Sequence, residues 1–109
     1  LIFNPGEAPF ALSAISIWEV GNKLRRRPGS LSLGLSFPDW LAIATQPALV
    51  RVIPVDAEIA RLANDLPGNF HEDLADRFIV ATAIHHRLVL LTSDEKILAY
   101  TPVRSLDTR

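Results

Sequence analysis

The stretch His71-Glu-Asp-Leu-Ala-Asp-Arg-Phe-Ile-Val-Ala-Thr-Ala83, with the apolar run Leu88 to Leu91 and then Thr92-Ser-Asp94 behind it, decides the fold. Asp73 opens a helix that runs to about His86. Its interior holds Phe78, Ile79, Ala81, Thr82 and Ala83, small or apolar residues over so wide an arc that the helix must be covered on more than one side. Leu88 to Leu91 is a continuous apolar run of strand length, the pattern of a fully buried parallel strand. The pair therefore reads as one helix-strand unit of an α/β sheet, with carboxylates at the ends of its elements.

Working outward, the same alternation recurs. Phe10 to Ser13 is a short apolar strand after the Pro5/Gly6/Pro9 turn region, followed by a helix from Ile15 to about Arg26 on which Ile15, Trp18 and Gly21 or Asn22 share one side. Lys23, Arg25, Arg26 and Arg27 close that helix, where cations suit the dipole. Arg27-Pro-Gly-Ser30 breaks the chain, and Leu31, Leu33 and Leu35 form an extended or irregular arm. Ser36 is an N-cap for a helix from Phe37 to about Thr45. Val50 to Val55 is a second strand, ended by Pro54, and Asp56 caps a helix whose stripe is Ile59, Leu62, Ala63 and Leu66. Pro67-Gly68-Asn69 ends it. Asp94 to Tyr100 is a short last helix and Val103 an edge strand. Strands alternating with helices predict a three-layer α/β/α domain with a mainly parallel sheet.

Composition narrows the function. The 109 residues make one domain, and a net charge of −1 gives no global basic signature, so any nucleic-acid contact must be a local patch. Without Cys there is no disulfide, Zn-thiolate site or Cys nucleophile, in keeping with a reducing cytoplasm. No apolar run approaches the ~20 residues of a membrane span, and no signal-peptide pattern is present. The chain has no Met and starts Leu1-Ile2-Phe3, which points to a fragment or a processed form. His71-Glu72 lacks a second His at position 75, occupied by Ala75, so the H-E-x-x-H zinc motif fails, and neither a phosphate-binding Gly loop nor a G-x-S-x-G elbow occurs.

The acids have two explanations each. Ser16 and Glu19 match the capping box S-x-x-E, Asp73 is a possible N-cap with Asp76 at the third helical position, and Asp94 is a possible cap of the last helix. Topology offers the other: in a parallel sheet the strand C-termini and the helices that follow them share one edge, so Glu19, Asp76 and Asp94 converge on one crevice. Like charges gathered there repel unless a cation relieves them, and hard oxygen donors favour Mg2+ or Mn2+. Ser16 and Thr92 add hydroxyls beside the acids, Arg77 stands at the same edge as a phosphate contact or as a partner for a carboxylate, and Lys23, Arg25, Arg26 and Arg27 offer either a solvated helix end or a backbone-binding patch.

Ser13-Ala-Ile-Ser16-Ile-Trp-Glu19-Val20, the block from Leu66 to Ala83, and Leu91-Thr92-Ser-Asp94 together resemble the PIN-domain family, and within it the VapC-like toxins of toxin-antitoxin pairs, from about Phe10 to about Val103. The resemblance implies a metal-dependent ribonuclease with Glu19, Asp76 and Asp94 as three of four acids around Mg2+ or Mn2+, and Asp73 as a neighbour that contacts the metal or only caps the helix. It also implies an RNA substrate, a cognate antitoxin, a homodimer and no membrane partner. Two positions depart from the pattern: Leu74 stands where Pro is usual, and no strand carrying the first acid is visible before Phe10. Such a strand and a following helix would take about 20 residues. The expectation is a divalent-metal endoribonuclease toxin; the alternatives are an inactive PIN-like binding module, or a fragment inactive for want of that first acid.

Overall fold

A computed structural model describes residues 2–3, 8–29 and 34–109. Leu31, Leu33 and the Pro5-Gly6 turn lie outside them. Five strands form one sheet in the order β3-β2-β1-β4-β5: β1 is Ile2–Phe3, β2 Phe10–Ser13, β3 Val50–Ile53, β4 Val89–Thr92 and β5 Ser105–Asp107. The helices are α1 (Ala14–Arg26), α2 (Phe37–Ala44), α3 (Ala57–Asn64), α4 (Leu74–His86) and α5 (Glu95–Leu98).

Register shows which way each strand runs. β2 pairs in parallel with β3, and β4 in parallel with β5, while β1 lies between β2 and β4 and is antiparallel to both. Four strands therefore point the same way and only the central one is reversed. The expectation of a mainly parallel sheet holds in that sense. A two-residue strand, Ile2–Phe3, does precede Phe10 and fills the middle of the sheet, too short a run for apolar periodicity to register, and neither of its residues is an acid. Val103 is corrected. It is buried at 5% exposure in a turn, its amide reaching Tyr100 O, and the edge strand starts two residues later, since Pro102 has no amide to give a ladder.

The core collects Ala11, Ile53, Ile59, Ala63, Val80, Ala81, Leu88 and Leu90. α4 earns its central place through small residues: Ala75, Val80, Ala81, Thr82 and Ala83 are all buried, and the helix packs on α3, α1 and β4. Thr82, wholly enclosed, turns its hydroxyl back to Phe78 O one turn earlier, which satisfies it without leaving the helix. The helix stops at Arg87, which takes the left-handed conformation at φ 56° and hands the chain to Leu88. Because β2 and β4 run the same way, the start of α1 and the residues after Thr92 emerge at one edge.

Candidate metal and phosphodiester site

Each helix start along that edge is fixed by a side-chain cap. Ser13, not Ser16, caps α1, its hydroxyl accepting from Ile15 N at 3.2 Å. The capping-box explanation of Ser16 and Glu19 is thereby removed: Ser16 sits inside α1, and Glu19 lies in the second turn, half-buried, with no amide to cap. The two aspartate caps are real. Asp73 Oδ1 accepts from Asp76 N at 3.0 Å at the head of α4, and Asp94 Oδ1 accepts from Lys96 N at 2.8 Å and Ile97 N at 3.3 Å at the head of α5. Capping engages one carboxylate oxygen in each case and leaves the other.

Carboxylate oxygens of Glu19, Asp73 and Asp76 lie within 4.8 Å of one another. α1 and α4 pack together, which brings a second-turn residue of one helix against the cap and third residue of the other. Asp94 is outside that close group, yet its charge acts on Asp76. The Asp76 carboxyl is raised above its ordinary 3.8 first by burial, then by Asp73 and Asp94, with His71 pulling it down and Glu19 adding to the rise. Of the three acids expected to converge, Glu19 and Asp76 do so closely and Asp94 stands one step out. Asp73, the acid of uncertain role in the sequence, is inside. Hard oxygen donors packed to this spacing, with one carboxyl raised by burial and by its neighbours' charge, are a donor set that suits a divalent cation.

The supporting residues divide. Thr92 Oγ1 accepts from Asp94 N at 3.0 Å and so shapes the turn that presents Asp94. Arg77 is anchored on the backbone: its Nε donates to Ala63 O at 2.9 Å and its Nη1 to Phe70 O at 2.9 Å and His71 O at 3.2 Å, so carbonyls hold the guanidinium. His71, to which the sequence assigned no chemistry once the zinc motif failed, places Nε2 3.1 Å from Asp76 Oδ2. Its signal was only its place five residues before a candidate acid, too loose a spacing to use.

From the acids a groove of about 590 Å3 runs along α1, lined by Trp18, Glu19, Lys23, Arg26, Arg27 and Asp73 among others. The basic cluster is thus split. Arg25 turns to the other flank, toward Phe37, and donates to Asn22 Oδ1 at 2.6 Å.

An α/β sheet with acids gathered at its strand C-terminal edge is a class shared by metal-dependent nucleases, and the PIN domain family matches residues 5–101; the chain belongs to that family. It is similar to the ribonuclease VapC22 of Mycobacterium tuberculosis (strain ATCC 25618 / H37Rv), 31% identical over 90 residues that make up 83% of this chain and 66% of that protein. The chain so spans just under two thirds of that relative's length. No solved structure matches it significantly. Among the described residues no helix is long and apolar enough to cross a membrane.

Proposed function

We propose that this chain is the acid-bearing part of a divalent-metal-dependent endoribonuclease of the toxin kind, acting on RNA phosphodiester bonds. The observation that carries the reading is the group Glu19, Asp73 and Asp76, with Asp94 beside it, on a chain of the PIN family. These carboxylates would hold Mg2+ or Mn2+, which supplies charge neutralisation at the phosphate and acidifies a water. Glu19 and Asp76 present oxygen donors from two helices that pack on each other, so their spacing is set by the fold. The RNA backbone follows the groove past Lys23, Arg26 and Arg27, and Trp18, 52% exposed at its wall, offers a face for a base.

A cognate antitoxin and a second copy of the chain are the protein partners we propose, in the cytoplasm. Exposed Trp18, Leu35 and Ile43 supply apolar surface on or near α1 and α2 for them. A second reading, an inactive PIN-like binding module, draws on the fact that Asp73 and Asp94 both cap helices. One comparison separates them: Mn2+-dependent cleavage of RNA that Glu19→Gln and Asp76→Asn each reduce by at least ~100-fold, the order of loss of an essential charge-stabilising group. RNA left intact by the unaltered chain at saturating Mn2+ would favour the binding module.

A further inference from the structure

We propose that His71 is a positioning residue for Asp76, and that Arg77 serves the site by holding His71 in place. The proposal rests on the metal-nuclease reading for its purpose, though not for its geometry. The Nε2 atom of His71 is sealed from solvent and has no well-formed hydrogen bond, yet it lies 3.1 Å from Asp76 Oδ2. That separation is a hydrogen bond's length without its alignment, and a buried imidazole nitrogen lacking a partner is costly unless a partner completes it. Among the described residues, Asp76 is the acceptor that stands at this distance from it. Contacts of this kind at active sites are often poorly aligned before the substrate or metal arrives and tighten afterward.

Everything around His71 fixes where its ring sits. Arg77, one residue past Asp76 on α4, crosses back over the loop and grips the carbonyls of Phe70 and His71 with one nitrogen while Nε anchors at Ala63 O, the end of α3. The Phe70 ring lies 4.5 Å from the imidazole and 4.8 Å from the Tyr100 ring, whose hydroxyl donates to Pro67 O at the other end of the same loop. Two donors and tilted ring contacts thus lash residues 67–71 to α3, α4 and the segment after α5. The product of that lashing is one imidazole nitrogen held 3.1 Å from one oxygen of Asp76. A partner at Oδ2 would fix the rotation of the Asp76 carboxylate, one oxygen of which lies within 4.8 Å of those of Glu19 and Asp73, as metal-ligating carboxylates are commonly oriented by an outer partner.

The test compares Mn2+ binding by calorimetry in the unaltered chain, His71→Phe and His71→Gln. The Phe variant keeps the ring's volume and loses the N–H; the Gln variant restores an amide N–H near the position of Nε2. Expected is a loss of roughly 10–100-fold in Mn2+ affinity for His71→Phe with the melting temperature held, and recovery in His71→Gln. Affinity unchanged in His71→Phe overturns the proposal. If even the unaltered chain fails to bind Mn2+, the nuclease reading falls and the contact is judged alone: 15N spectra under alkaline conditions should show the neutral ring with its proton on Nε2, moving when Asp76 becomes Ala. A proton on Nδ1, or a resonance indifferent to Asp76→Ala, overturns it in that case too.

Discussion

Asp76 carries the tension of the site in one side chain. Burial and the charges of Asp73, Asp94 and Glu19 hold its carboxyl above the ordinary 3.8 against the pull of His71, so the folded chain binds that proton more tightly than the unfolded chain does. Below the ordinary value both states are protonated and no difference exists. As pH rises past it the unfolded chain releases its proton first, and folded stability declines until pH has passed the raised value, above which the whole penalty stands. Asp76→Asn removes the titration together with the contact to His71, so the informative quantity is the change with pH. The melting temperature of the variant minus that of the unaltered chain should grow across this window. It should be largest at neutral pH, where the carboxylate is charged in both states. Saturating Mn2+ should reverse the sign, because the cation stabilises only the form that keeps the carboxylate. A difference flat in pH would mean that the charges do not act on one another.

At the level of elements, the helix starts do two jobs at once, and α4 allows them to be separated. Asp73 caps α4 with Oδ1 and is also one of the clustered carboxylates. Asp73→Asn retains a side-chain acceptor for the amide of Asp76 and removes the charge, whereas Asp73→Ala removes both. Chemical denaturation should show a loss of about 1 kcal/mol for the Ala variant and far less for Asn, while Mn2+ affinity should fall in both. Equal affinity for Mn2+ in all three would make Asp73 a cap alone. This double use also shows what the sequence could and could not disclose. Elements with strong periodicity or caps were legible: α4 from its small-residue interior, α2 from Ser36 and Pro38, α3 from Asp56, and the acids Glu19, Asp76 and Asp94 as members of one edge. What escaped was decided by tertiary contact. Ser16 and Ser13 are both plausible caps by type, and only the end of β2 at Ser13 chooses between them. Arg77 reads equally as a phosphate contact or as a partner for a carboxylate, and the carbonyls that the loop from Pro67 to His71 offers it have no sequence signal. Two residues of β1 have no period at all.

Across the whole molecule, a net charge of −1 conceals a strong division: carboxylates cluster at one end of the α1 groove while Lys23, Arg26 and Arg27 line its length. A chain without overall positive charge cannot gather RNA from a distance, so attraction must come from this short-range patch and be felt within about one Debye length, ~8 Å at physiological salt. That makes salt dependence the informative measurement. For a single strand the logarithm of the binding constant falls with the logarithm of salt by about 0.7 for each phosphate neutralised. Three groove cations should therefore give a slope near roughly −2, read by fluorescence anisotropy of a labelled oligoribonucleotide in EDTA, which withholds the cation and keeps the strand intact. Replacing Lys23, Arg26 and Arg27 together with Gln should flatten the slope toward zero. Replacing Arg25, which faces Phe37 and is engaged by Asn22, should leave it almost unchanged. Trp18→Ala should weaken binding without altering the slope, because stacking on an indole releases no counterions. A steep slope that survives the triple replacement would place the strand elsewhere on the surface and overturn the path along the groove.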